Sequence, residues 1–434
     1  MKLPETGRVV IVDDEPKEAM PLIKALSKIN IPSRYFTGLR SELPERRVDN
    51  IRLFFLDLQL VTASGAIAKV GAVASVLKRL ISKDNGPYVL VLWTLHEDYI
   101  AELERLFNSG LSSIKPTKTL NLNKASVFKR GHEGEWEIRK NGILTIERRI
   151  KSELKKIGAF YIFLLWENMV NRASNKIVGD FSALQNGPPD WNNRMLDMFL
   201  KLGESYAGKQ LDKTKAPNVI KSALLSFNSL FSDILEEETS KLEYDAKFGI
   251  SFCGRTPIMN PGVIGEINSR LHTSKATENC VLPGSVFSLE DLNYIHEDSK
   301  ELKKSILTDL VYKEKINEVK EKMKLIGLEI TPICDYAQTK YRVHRMIVGI
   351  MYETDTNPSA IFKPSDHAYP TPLIMINGKT YCMAFDLSRF FSVGKKSMEC
   401  KESFLKLRRE ICVDIQSKLG SHVIRPGITK VDFK

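Results

Sequence analysis

Residues 8–16, RVVIVDDEP, decide how the first part of the chain folds. Residues 8–12 form a short β-branched run without polar alternation, which is what a strand buried on both faces requires. Pro16 suits the first turn of a helix, because the N–H it lacks would have no intrahelical partner there. Met20, Leu22, Ile23, Leu26 and Ile29 then recur at helical spacing. The same strand-then-helix order continues outward. Residues 33–36 and 51–56 (IRLFFL) read as strands two and three. Residues 72–81 read as a helix, 88–93 (YVLVLW) as strand four, and 97–107 as a helix. A short fifth strand is expected to end near Ile114. Strands alternating with helices imply a doubly wound parallel α/β sheet.

On this plan Asp13, Asp14, Asp57, Thr94 and Lys115 all fall at the carboxyl ends of strands. In an open parallel sheet that edge is where ligands bind. Three carboxylates brought together repel one another, and a divalent cation with a taste for hard oxygen ligands, such as magnesium, relieves the repulsion. Thr94 and Lys115 would then hold the oxygens of a phosphoryl group placed on Asp57.

With V-D-D-E at 12–15, F-L-D-L at 55–58, Thr94 after strand four and Lys115-Pro116 after strand five, residues 6–116 resemble a response regulator receiver domain. The resemblance implies that Asp57 accepts a phosphoryl group from a phosphohistidine on a partner histidine kinase or phosphotransfer protein. It implies that Asp14 binds Mg2+ directly, Asp13 largely through water, and Gln59 through its backbone carbonyl. It also implies that Thr94 and Lys115 bind the phosphoryl oxygens. Three features depart from the family pattern. Ser112 stands three residues before Lys115, where an aromatic switch residue is usual. Leu95 follows Thr94, where a small residue is usual. The segment between strands three and four, residues 58–87, is long. With no ring at 112, the readout is expected to run through residues 59–87 and the helix at 72–81.

The charge balance changes after residue 116. Residues 1–116 carry 16 basic and 14 acidic side chains, whereas 118–157 carry 11 and 5. Phe128 and Trp136 are few aromatics for stacking bases, so a solvated basic stretch is favoured over a nucleic-acid site. Residues 143–172 suit one long helix or two joined near Gly158, and 191–206 and 219–242 suit further helices. This middle part reads as a helical domain that connects or forms a homodimer.

From residue 248 the texture becomes that of an α+β domain, with a partly open barrel as one form. Strands are expected at 280–282, 286–287, 327–333, 342–352, 373–376 and 379–385. Asn377-Gly378 is a two-residue hairpin turn between the last two. Residues 313–324 and 401–419 read as helices. The run T-P-x-C-D-x-x-Q-x-K at 331–340, with P-G-x-V-F at 283–287 and R-P-G at 425–427, resembles an uncharacterised bacterial domain. Cys334, Asp335 and Lys340 are candidates for a thiolate nucleophile with polar support, and His344, His367 or His422 for a base. A buried structural cysteine with a turn-capping aspartate is the competing reading.

Across all 434 residues the chain has a net charge of +11, 43% hydrophobic residues and six scattered cysteines. No C-x-x-C, H-E-x-x-H, P-loop or G-x-S-x-G pattern occurs. No apolar run reaches the ~18–20 residues of a membrane span. The expected organisation is a receiver-like domain at 1–116, a basic linker and helical domain at 117–247, and an α+β output domain at 248–434. The leading functional expectation is a cytoplasmic phosphorelay protein. An enzymatic effector, in anti-phage defence, and a scaffold with a non-phosphorylated receiver are the alternatives.

Overall fold

A computed structural model of the chain describes residues 8–60, 66–94, 100–131, 136–184, 190–208, 211–241, 252–257, 259–276, 281–289, 299–337, 341–398 and 401–423. It divides into two compact units. The first comprises Met1–Asn186 and Phe227–Cys253, the second Gly187–Ser226 and Gly254–Lys434.

The first unit opens with β1 (Val9–Val12), α1 (Pro16–Lys28), β2 (Ser33–Phe36) and β3 (Leu53–Leu56). α2 (Ala66–Leu80), β4 (Val89–Thr94), α3 (Ile100–Asn108) and β5 (Lys118–Asn123) follow. The five strands form one parallel sheet in the order β2-β1-β3-β4-β5. β1 and β3 are buried along their whole length, as their unbroken apolar runs require. Alternate residues serve opposite faces. Val9 and Ile11 pack with Leu22 and Leu26 of α1, and Val10 and Val12 pack with Val73 and Leu77 of α2. Each such fully buried aliphatic side chain contributes roughly 1.5–3 kcal/mol.

The fifth strand lies later than the sequence reading put it. Residues 112–114 form a single 3-10 turn, and β5 begins at Lys118. β5 is a half-buried edge strand, and its sequence, KTLNLN, alternates accordingly. Leu120 and Leu122 face the core while its other residues are less buried or exposed. The sheet therefore runs past residue 116 into the basic stretch. That stretch continues as α4 (Lys124–Val127), the hairpin β6 (Phe128–Arg130) and β7 (Trp136–Ile138), and α5 (Gly142–Lys156). Ile146, Ile150 and Leu154 of α5 complete the α1 face of the sheet. α6 (Gly158–Ala183) follows after one non-helical residue, Ile157, so the two-helix form is the one adopted. Arg52 at the start of β3 donates to Glu167 of α6 from Nη2 (2.6 Å) and Nε (3.1 Å). Arg8 pairs with the same carboxylate.

α7 (Trp191–Ala207) belongs to the second unit, and α8 (Ala216–Ser240) has residues in both. The second unit continues through α9 (Pro261–His272), β8 (Thr273–Ser274), β9 (Ser285–Ser288), α10 (Ser299–Leu310) and α11 (Ile316–Lys322). It continues with β10 (Lys324–Glu329), α12 (Ile333–Ala337), β11 (Val343–Glu353), β12 (Ala368–Pro370), β13 (Ile374–Ile376) and β14 (Lys379–Gly394). It closes with α13 (Lys395–Met398), β15 (Leu405–Leu407) and α14 (Arg409–Val423).

These strands make a curled antiparallel half-barrel sheet in the order β12-β14-β11-β10-β9-β15-β8, with β13 also on β14. α10 and α11 cover one face, and α14 covers the other. Asn377 and Gly378 both have positive φ (50° and 80°), the conformation that a two-residue hairpin between twisted strands demands. The helix expected over 401–419 begins only at Arg409. The preceding Leu405-Lys406-Leu407 alternates and pairs with β9 and β8. Of the strand expected at 280–282, Val281 and Leu282 lie outside any strand, and Cys280 lies outside the described residues. Among the described residues no helix is long and apolar enough to cross a membrane.

Candidate functional site: an acidic cluster closed by Lys124

Three strand ends converge at the carboxyl edge of the parallel sheet. Asp13 follows β1, Asp57 follows β3 and Lys124 follows β5. The sheet's hydrogen bonds extend one residue past the strands. Asp13 donates its backbone N–H to Phe36 O (3.2 Å), and Asp57 donates to Val12 O (2.9 Å). Each aspartate also accepts from the backbone two residues on: Asp13 Oδ1 from Glu15 (3.1 Å), Asp57 Oδ1 from Gln59 (3.2 Å). These short turns are the local preference of aspartate after a strand. They leave both Oδ2 atoms for Lys124.

Lys124 Nζ donates to Asp13 Oδ2 (2.8 Å), Asp57 Oδ2 (2.7 Å) and Glu18 Oε2 (2.7 Å). All three of its donors are used, and the side chain is only 3% exposed. Asn123 fixes the backbone there by capping α4, its side chain accepting from Ala125 N (2.9 Å). Glu18 lies in the first turn of α1, and its other oxygen accepts from Trp136 Nε1 (3.2 Å) on β7. The Arg130 guanidinium lies 5.3 Å from the Trp136 ring centroid.

Carboxylate oxygens of Asp13, Asp14 and Asp57 lie within 4.8 Å of one another. Burial pushes the Asp13 carboxyl up to about 7, against the pull of Lys124, with the Asp57 charge adding to the rise. Asp14 is raised by burial and then by Asp57. The Lys124 ammonium is disfavoured by burial, but the charges of Asp57 and Asp13 outweigh this and hold it above its ordinary value. One ammonium thus faces several carboxylates, and two of them remain uncomfortable as anions. An all-oxygen donor set of this kind fits a hard divalent cation. The lysine occupies one oxygen each of Asp13 and Asp57, so further lone pairs are left for a metal.

The other expected residues are placed as follows. Thr94 ends β4 beside Asn123, and Leu95 lies outside the described residues. Gln59 lies two residues beyond Asp57. Lys115 is exposed, precedes β5, and donates to Asn108 Oδ1 (2.8 Å). It is not brought to the acidic cluster, and Lys124 occupies that place. The position three before Lys124 is Asn121, whose buried Oδ1 has no hydrogen-bond partner among the described residues. It is no more aromatic than Ser112. The alternation of KTLNLN followed at once by Lys124 is the signal that would have found the lysine.

In the second unit Cys334 and Asp335 lie on α12, and Lys340 lies outside the described residues. Asp335 Oδ2 is 3.9 Å from Arg345 Nη2. Beside them lies a buried group that gives His344, one of the candidate bases, two partners the sequence did not indicate. His344 Nδ1 lies 2.7 Å from Tyr336 Oη and 3.4 Å from Glu329 Oε1, and Glu329 is fully buried. His367 is hydrogen-bonded to Ser365, and its ring centroid is 6.2 Å from that of His422. No family model matches the chain, and no curated protein matches its sequence.

Proposed function

We propose that the first unit is a phosphoacceptor of the response-regulator type, with Asp57 as the residue phosphorylated and Lys124 as the lysine whose ammonium binds the phosphoryl oxygens. The observation that carries this reading is the bond from Lys124 Nζ to Asp57 Oδ2 at the carboxyl edge of a five-stranded parallel sheet. In the transfer, an Asp57 carboxylate oxygen attacks the phosphorus of a phosphohistidine on a partner kinase or phosphotransfer protein. The O–P bond forms, the N–P bond breaks, and the imidazole leaves with its electron pair and takes up a proton. Positioning and charge neutralisation are the whole task. Asp13, Asp14 and Asp57 would hold Mg2+, which supplies charge neutralisation at the phosphoryl oxygens. Lys124 is already in place to follow those oxygens.

The readout follows from the lysine's three bonds. A phosphoryl group on Asp57 draws Lys124 away from Glu18. Glu18 is then the residue that couples to Trp136 and the β6–β7 hairpin, rather than an aromatic on β5.

A second reading, a scaffold with a silent receiver, is favoured by the same lysine, which partly neutralises the cluster without any metal ion. Beryllium fluoride with Mg2+ separates the two. If Asp57 is the acceptor, binding quenches or enhances Trp136 fluorescence in the wild type but not in Asp57→Asn. An identical response of both proteins would leave the scaffold reading standing.

A further inference from the structure

A cavity of about 540 Å3 in the second unit brings together sequence segments that the proposed phosphoacceptor does not use. Pro283 of the P-G-x-V-F run and Ile333 and Tyr336 of the T-P-x-C-D run all line it, with the first turns of α14 opposite. The turn at Pro283-Gly284 is built for this place. Gly284 has φ +91°, and a Cβ there would collide with Leu407 O and lie 2.9 Å from Cys412 Sγ. Its N–H donates to Glu329 O (2.8 Å), and its carbonyl accepts from Leu407 N (2.8 Å). Gln416 Nε2 donates to Ile330 O (2.7 Å), tying α14 to the same strand end. Tyr336 is fixed by its stack on Tyr341 (centroids 4.2 Å) and by His344. These walls are held by hydrogen bonds and ring contacts independent of any ligand.

The lining is apolar within and cationic at its edge. Leu225, Leu282, Leu407 and Val413 supply aliphatic surface. Lys221, Lys406 and Arg409 supply three positive charges, and none of them is ion-paired among the described residues. The single acid in the lining among the described residues, Asp212, is paired with Lys215 (3.3 Å). α14 starts at Arg409, so the positive end of its dipole adds to the field. Apolar walls with a few convergent charged groups are the make-up of a small-molecule site. We infer that this cavity binds a small organic anion, with an aromatic or short aliphatic body against the leucines and an anionic head toward Lys406 and Arg409.

The test compares two probes with the same ring system. 1-Anilinonaphthalene-8-sulfonate carries the anionic head, and N-phenyl-1-naphthylamine lacks it. Titrated into the full-length protein, the sulfonate is expected to bind one per chain and at least about tenfold more tightly than the amine, a difference of one unpaired charge–charge contact or more. The double variant Lys406→Gln/Arg409→Gln should weaken the sulfonate about tenfold and leave the amine within about twofold. Val413→Trp, which puts a larger side chain into the lining, should weaken both. Equal affinity for the two probes, sulfonate binding unchanged in the double variant, or sulfonate binding unchanged in Val413→Trp would each overturn the inference.

Discussion

The two sheets of this chain keep their chemistry in different places. In the parallel sheet the charged groups sit one residue beyond the strand ends, where strands from distant parts of the sequence converge on one edge. In the antiparallel half-barrel the polar groups lie in the walls of the sheet and in the turn and helix beside it. Glu329 ends β10, His344 lies on β11, and Tyr336 lies on α12. A parallel sheet puts every strand's end at the same edge, so its site is assembled by topology. An antiparallel sheet alternates strand ends, so its polar groups must find partners in situ.

The largest expected effect sharpens this contrast at Lys124. Removing one member of a buried ion network leaves the others uncompensated, so Lys124→Ala should cost about 3–5 kcal/mol. Lys115→Ala, on the exposed surface, should stay within about 0.5 kcal/mol. Urea unfolding of both variants checks the difference. Added Mg2+ should recover part of the Lys124→Ala loss, because a cation replaces the missing positive charge among Asp13, Asp14 and Asp57. Equal stability of the two variants would break the distinction between them.

Gly284→Ala is the corresponding probe of the second unit. A left-handed φ and a collision with the Leu407 carbonyl together should cost about 3 kcal/mol. Gly254→Ala also has a positive φ (72°) but open space around it, and should cost about 1 kcal/mol. Thermal unfolding of the pair separates backbone strain from the close approach of β15.

Thiol chemistry offers a further probe, through its pH dependence. Burial lifts the Cys382 and Cys412 thiols to about 12 from an ordinary value of 9.0. The folded state therefore keeps its proton where the unfolded state loses it. The associated stability is complete below pH 9 and is lost as pH rises from 9 toward 12. At pH 8, iodoacetamide should label the exposed Cys253 and leave Cys382 and Cys412 untouched until the protein is unfolded. Labelling of Cys412 at the same rate as Cys253 would show that the α14 face of the half-barrel opens readily.

Much of the parallel sheet was legible because RVVIV and YVLVLW are buried on both faces and admit one reading. β5 was not, since an edge strand needs only one buried face. Its KTLNLN alternation is short and sits in a stretch dominated by basic charge. Lys115-Pro116 then offered a local dipeptide that mimics a strand end. Lys124, Glu18 and Trp136 could not be joined from the sequence, because their contact depends on where β5 stops. In the half-barrel, Asn377-Gly378 was legible through its turn geometry. β15, three residues long and flowing almost directly into α14, was absorbed into the helical pattern that follows it.

Intact-mass measurement after incubation with acetyl phosphate and Mg2+ tests the role of the acidic edge most directly. The expected result is one phosphoryl group per chain on the wild type and on Lys115→Ala, none on Asp57→Asn, and a loss of most of it on Lys124→Ala. Equal phosphorylation of wild type and Asp57→Asn, or none on either, would contradict Asp57 as the acceptor. Loss on Lys115→Ala with retention on Lys124→Ala would contradict the assignment of the lysine.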